Sequence, residues 1–318
     1  MGAQGLGSRA IIGKYFAALE AYAGQAWVTQ LAMLFGSDQA SETYKWLGMA
    51  PVLREWIGGR LAKGFRENGI TIVNKKWEAT LQVLVDEIRR DKTGQVQIRI
   101  DDMAARTIEH DAKLLSTLIA NGTGDSSGLC YDGQYYFDDD HSEGDSGTQK
   151  NLLTATEVTQ LDVTTAAAPT ASEAIKAILG VIAHMMTYKD DQGEPVNADA
   201  REFTVMTAPA LWSYLTPAVV SQQVASGETN VIKELAKDGY KVSIVCNPRL
   251  TYTTQFVTFR ADAPAKPFII QEEEGLTISA QAEGSAEEFN NDRYLYGVKR
   301  ISNVGYGLWY YAAHSTLS

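Results

Sequence analysis

The stretch Tyr131-Asp132-Gly133-Gln134-Tyr135-Tyr136-Phe137-Asp138-Asp139-Asp140-His141 admits two opposed readings. Three consecutive carboxylates followed by an imidazole have the donor types of a divalent-cation site. Asp138, Asp140 and His141 together would suit a metal-dependent hydrolase. Successive residues point in different directions, however, and the chain has no Asp-x-Asp-x-Asp-Gly loop. A solvated or ion-paired acidic loop is the simpler reading, and no metal ligand is assigned.

The rest of the chain offers little to catalysis. The four histidines, His110, His141, His184 and His314, form neither His-x-x-x-His nor His-Glu-x-x-His. No Gly-x-Ser-x-Gly elbow, Walker motif, zinc spacing or dinucleotide fingerprint is present. Asn121-Gly122-Thr123-Gly124 closes a helical pattern, whereas a phosphate cradle must open one. The reading is of a non-enzyme with no catalytic residue and no cofactor.

Charge leaves two readings open, association between copies or solvated faces that simply differ. The chain has 318 residues and a net charge of -11. Residues 1–100 carry a balance of +4 and residues 101–318 one of -15. Halves of opposite sign attract if they meet between copies, while an acidic whole repels a phosphate backbone. Two cysteines, Cys130 and Cys246, are too few for a disulfide framework. The first residues do not read as a signal peptide. No apolar run approaches the roughly 20 residues a membrane-spanning helix needs.

Periodicity outlines the elements. Residues 11–35 read as one amphipathic helix. Residues 53–63 read as a short helix or turn. Residues 71–77 and 79–88 read as the two strands of a charged antiparallel ribbon, too polar to stand alone. Residues 101–121 form the clearest helix, with Asp101 and Asp102 at its positive end and Asn121-Gly122 as its stop. Further helices are expected over 171–188, 209–215 and 229–238, with Pro217 ending or restarting the second. Strands are expected at 203–206, 242–246, 256–260, 268–270, 276–281, 293–301 and 306–312. Residues 164–170 are the best linker. Four of the six tryptophans, Trp27, Trp46, Trp56 and Trp77, precede residue 80, which suggests that this leading part is buried against partners.

Several blocks carry a resemblance. Tyr44-Lys45-Trp46-Leu47-Gly48-Met49-Ala50-Pro51, Arg54-Glu55-Trp56, Asn74-Lys75-Lys76-Trp77-Glu78, His110-Asp111 and residues 131–141 occur in this order in a known family. The chain resembles the major head (major capsid) proteins of Mu-like bacteriophages. Family members often have Pro after the Asp-His pair; Ser142 stands there here, which is expected to alter a loop and not the fold.

The resemblance implies an α+β chain of the Hong Kong 97-type phage capsid fold. It would comprise an N-terminal arm (1–52), an extended two-stranded loop (53–100), a spine helix with peripheral domain (101–168), an axial domain (169–265) and C-terminal strands completing the peripheral domain (266–318). It also implies hexamers and pentamers closing into an icosahedral head around double-stranded DNA, with expansion of a precursor shell. The partners would be the chain itself, portal, scaffold and decoration proteins, and DNA by weak non-specific contact. The location would be the virion, assembled in the host cytoplasm. Assembly contacts are expected at Trp27, Trp56, Arg60, Lys63, Lys75, Lys76, Trp77, Arg89 and Arg90, with acidic partners at Asp138, Asp139 and Asp140 or at residues 272–274. Gly58, Gly59 and Gly64 are expected hinges. An encapsulin-like cargo compartment shares the fold and stays open as an alternative, as does the hydrolase.

Overall fold

A computed structural model describes residues 8–22, 24–47, 69–90, 94–223, 227 and 229–318. α1 (Ser8–Ala21) buries Ile11, Tyr15 and Ala18, spaced four and three apart on one face. Gly24, at φ +64, ends this course, and a Cβ there would meet Ile108 Cγ2 at 3.0 Å. α2 (Ala26–Leu31) and then β1 (Ala32–Gly36) follow. The single helix expected over 11–35 is therefore wrong. Residues 32–36 pair as a parallel strand with 268–272, because a distant strand offers them hydrogen bonds and an apolar face.

The expected ribbon is also replaced. β2 (Ser41–Tyr44) pairs with β3 (Ile70–Val73), and β4 (Lys75–Leu84) pairs instead with residues 293–302. Asn74 turns the corner, its Nδ2 donating to the Gln39 carbonyl at 2.8 Å. Residues 85–88, expected as the end of a strand, instead open helix α3 (Val85–Arg90). The element expected at 53–63 lies outside the described residues.

α4 (Gln95–Ile108) and α5 (His110–Asn121) replace the single helix of 101–121. Helical structure begins six residues earlier, after Gly94 in the left-handed region, and breaks only at Glu109. Asp101 and Asp102 thus sit mid-helix, accepting from Gln97 and Arg106 respectively. β5 (Leu152–Leu153) comes next, and α6 (Ala171–Met185) is opened by a capping box of Thr170 and Glu173. Glu173 also accepts from the backbone N–H and hydroxyl of Thr164, so residues 164–170 are strapped to α6 and form no linker. Those hydrogen bonds to Thr164 and Thr170 hold the Glu173 carboxyl down at about 2.

β6 (Glu202–Thr207), α7 (Pro209–Val220), α8 (Val231–Leu235), β7 (Lys241–Cys246) and β8 (Gln255–Arg260) form an α/β unit in which β6 and β7 are parallel. α7 runs through Pro217 to Val220, past its expected end, and buries Ala218 and Val219 on that extra turn. The C-terminal stretch holds two 14-residue strands, β9 (Phe268–Gln281) and β10 (Arg293–Tyr306), joined through α9 (Ala286–Asn291), and then β11 (Ala312–Thr316). The break expected between 270 and 276 is absent, because β10 pairs along nearly all of β9.

Two sheets result, ordered β1-β9-β10-β4 and β5-β11-β8-β6-β7, with β2-β3 as a separate pair. Gln271 ties that pair to the first sheet: its Nε2 donates to the Ile72 carbonyl at 3.2 Å, and its Oε1 accepts from Tyr44 Oη at 2.9 Å. The main core includes Trp27 and Leu31, while a smaller one lies between α1, α4 and the first sheet. Among the described residues of the leading part, α1, α2 and the β2–β3 pair bury apolar side chains on their own body.

The chain crosses between sheets from Tyr306 to Ala312 through a short turn at Trp309–Tyr311. Trp309 is 1% exposed and stacks on His141, with ring centroids 4.1 Å apart and planes 3° from parallel. Asn151 Nδ2 donates to the Trp309 carbonyl at 3.3 Å and to the Tyr136 carbonyl at 2.8 Å. Asn197 Nδ2 donates to the Tyr310 carbonyl and to that of Met185, both at 2.8 Å. These amides satisfy a turn that water does not reach.

Asn151→Ala removes the side-chain donor to the Tyr136 carbonyl and one of two donors to the Trp309 carbonyl, and is expected to cost about 2 kcal/mol, read by urea unfolding. A second expectation concerns acid. His314, on β11, lies between Phe137 and Tyr252, and burial pushes its imidazole down from 6.5 to about 4. Between those values the unfolded chain holds a proton that the folded one does not. Stability should fall with pH across that window and level off below it, by about 3 kcal/mol in all. His314→Leu should flatten that part of the profile.

Candidate functional site

The acidic loop gathers its three carboxylates but leaves the histidine out. Asp138, Asp139 and Asp140 have carboxylate oxygens within 4.8 Å of one another. Asp138 accepts from the backbone N–H groups of Tyr135 and Asp139, at 2.9 and 2.8 Å, and so braces its own turn. Desolvation raises the Asp140 carboxyl, with repulsion from Asp138 and Asp139 adding to it. His141 turns the other way. Its ring is fully buried, with Nδ1 2.6 Å from Asp132 Oδ2 and Nε2 3.2 Å from Asn151 Oδ1. The grouping of Asp138, Asp140 and His141 that a hydrolase would need is therefore not formed, because the imidazole is held in the core beneath Trp309.

The expected assembly residues divide into three groups. Trp27 is 3% exposed in the main core, its Nε1 donating to Gln25. Trp77 donates to the Ser302 carbonyl at 2.8 Å and meets His110 edge-on at 4.5 Å. Both indoles make these contacts within their own chain; Trp27 is closed off by them, whereas Trp77 is half-buried and keeps a face toward the groove between β4 and α4. Arg89 and Arg90 both reach Asp86 on the same helix; such exposed pairs are worth about 0–1 kcal/mol. Lys75 and Lys76 are exposed at the start of β4 and have no ion pair among the described residues. Trp56, Arg60, Lys63, Gly58, Gly59 and Gly64 lie outside the described residues.

The acidic group at 272–274 is already engaged. Glu272 takes Arg300 at 2.7 Å, Glu274 takes Lys299 at 2.7 Å, and Glu273 accepts from Asn74 at 3.1 Å. Arg300 also reaches Asp111 at 2.7 Å, linking α5 to β10 and β9. Arg260, 3% exposed, reaches Asp199 and Asp262 at 2.8 Å each and the Val196 carbonyl at 3.1 Å. Neither arginine carries a local sequence signal, since its partners lie far away in the chain or in an unremarkable loop.

A groove unseen in the sequence opens between β4 and α4, with a volume of about 460 Å³. Trp77, Leu81, Met103, Leu276 and Val298 contribute its apolar lining. His110 stands at the α4–α5 break beside it, and burial pushes its imidazole down. The alternation of Trp77, Ala79 and Leu81 along β4 was the available signal; it identifies one face of the strand but not what that face meets.

The sequence model of the family described as Mu-like prophage major head subunit gpT matches residues 9–170 and 235–318. The Mu-like prophage FluMu major head subunit of Haemophilus influenzae is 35% identical over 132 residues, covering 41% of this chain and 42% of that protein. The major capsid protein of Escherichia phage Mu is 32% identical over 112 residues, covering 35% and 36%. These alignments span about two-fifths of the first relative and less of the second. The procapsid of bacteriophage JBD30 superposes with a TM-score of 0.56 at 22% identity, covering 98% of this chain and 75% of that one. That likeness identifies the α+β fold as the tailed-phage capsid type, as the resemblance implied. With both flanks of the central α/β unit matched, the chain belongs to the Mu-like prophage major head subunit gpT family.

Proposed function

We propose that this chain is the major capsid subunit of a tailed bacteriophage. The observation that carries the proposal is the family match, which runs through both the leading segment and the C-terminal strands. Copies form hexamers and pentamers of an icosahedral head that encloses double-stranded DNA, and a precursor shell expands on maturation. The subunit has a structural role and no catalytic one; the inward-turned His141 weakens the hydrolase reading. The family match favours a phage head over a cargo compartment.

The same reading divides the chain into arm, extended loop, spine with peripheral domain, axial domain and closing strands, at the limits expected from sequence. The long α4–α5 course serves as the spine, and the unit from α6 to β8 as the axial domain. β11 pairs with β8, which would couple the closing segment to the axial domain. Portal, scaffold and decoration proteins are the further partners. DNA is held only weakly, since the net charge of -11 disfavours tight binding to phosphate. The particle is a virion built in the host cytoplasm.

Negative-stain microscopy of the purified chain should show closed particles or rings; a monomer at high concentration would contradict the reading. Lys75→Glu with Lys76→Glu removes two exposed cations from the edge strand of the first sheet. This double variant should keep its thermal stability and lose particle yield, measured by sedimentation. Unchanged yield would remove these lysines from the contact.

A further inference from the structure

One large apolar side chain stands apart from every packed surface. Phe289, on α9, is 89% exposed. α9 lies at the end of the β9–β10 hairpin, and its segment is held firmly. Ser285 caps the helix by accepting from the Glu288 N–H. Glu288 accepts from Tyr294 Oη at 2.8 Å and from the Gly284 N–H, while Glu287 takes Arg293 at 2.7 Å. A braced segment gives up little conformational freedom when it docks, so the exposed ring is presented at low entropic cost. Residues 283–292 also carry Glu283, Glu287, Glu288 and Asp292 and no cation.

The groove between β4 and α4 has the complementary character. Its floor is apolar; at its rim Arg99, Lys299 and Arg300 are paired with Glu87, Glu274 and the Asp111–Glu272 couple of their own chain, which leaves Lys113 and Arg106 as the cations facing outward. Lys113 has no ion pair among the described residues, and the Arg106–Asp102 pair is solvent-exposed and easily rearranged. A phenylalanine ring buries roughly 150–250 Å² on docking, and a groove of about 460 Å³ has room for one. The ring cannot be its own groove's occupant. Val298 on the groove floor lies five residues along β10 from Arg293, roughly 17 Å of strand away, and Phe289 is exposed.

We infer that Phe289 of one copy seats in the Trp77–Met103–Leu276 groove of a second copy, with the acidic α9 segment facing Lys113 and Arg106. Knob and groove occupy different places on one molecule, so the contact is heterologous. Repeated by rotation, such a contact closes into a ring. The inference rests on the shell reading above and supplies one of its contacts.

The test co-expresses two differently tagged variants, Phe289→Cys and Met103→Cys, and oxidises the assembled material. The expected result is a disulfide-linked dimer containing one copy of each variant, absent when either variant is expressed alone. Phe289→Ala should in turn slow ring formation without altering thermal stability, since the ring is almost fully exposed among the described residues. Closed particles without the mixed dimer would overturn the contact and keep the shell. The mixed dimer without closed particles would keep the contact and overturn the shell; neither product would overturn both. A Met103→Cys thiol that resists a maleimide in the isolated subunit would show the groove filled by its own chain, which also overturns the inference.

Discussion

A chain that passes from one sheet to another must hide the turn it makes, and everything in this molecule is arranged around that passage. Between Tyr306 and Ala312 the backbone leaves the first sheet and enters the second with Trp309 almost fully buried. Peptide groups taken from water need partners; within the turn the Ala312 N–H donates to the Trp309 carbonyl, and side-chain amides complete the set. Asn151 and Asn197 supply those donors from opposite sides. Arg260 then holds Asn197 in place, donating to its Oδ1 at 3.2 Å, with its guanidinium 5.4 Å from the Tyr311 ring. His141 lies flat on the Trp309 indole, and Asp132 orients it. The acidic loop owes its shape to this core: His141 is drawn inward, and the preceding carboxylates are left at the surface.

The same logic separates what holds the subunit together from what is left for neighbours. Arg300, Lys299, Arg293 and Arg260 all find carboxylates within the chain. These pairs all lie within residues 101–318, so they organise the acidic part of the chain on itself, and Arg300 joins α5 to the first sheet. α1, α2 and the β2–β3 pair bury their apolar faces on the same body. An assembly built from such subunits would join preformed tiles, and its contacts would be surface contacts of modest strength. Weak contacts of that kind let misplaced subunits leave.

Much of the architecture was legible before any coordinates. α6 was readable because Ala174, Ile175, Ile178 and Ile182 recur at helical spacing, whereas its Thr170–Glu173 capping box went unread in a stretch taken for a linker. β6, β7 and β8 were readable as short apolar runs. The order of the blocks from Tyr44 to His141 carried the family. The buried polar network around Trp309 was not legible, since Asn151, Asn197 and Arg260 look like ordinary loop and strand residues in one dimension. The groove and the exposed Phe289 were likewise hidden, because exposure depends on what fails to pack.

Local pattern thus decided which segments are helical or extended wherever a period ran long enough, and block order decided the family. Tertiary structure alone decided the pairing. β4 has a strand's alternation, but whether it joins β3 or β10 depends on which edge is long enough to take its ten residues, and β10 is. Residues 32–36 fit a helix or a strand equally well until β9 offers them a parallel edge. Such choices rest on hydrogen-bond donors and acceptors supplied by residues more than 200 positions away. A local period carries no information about them.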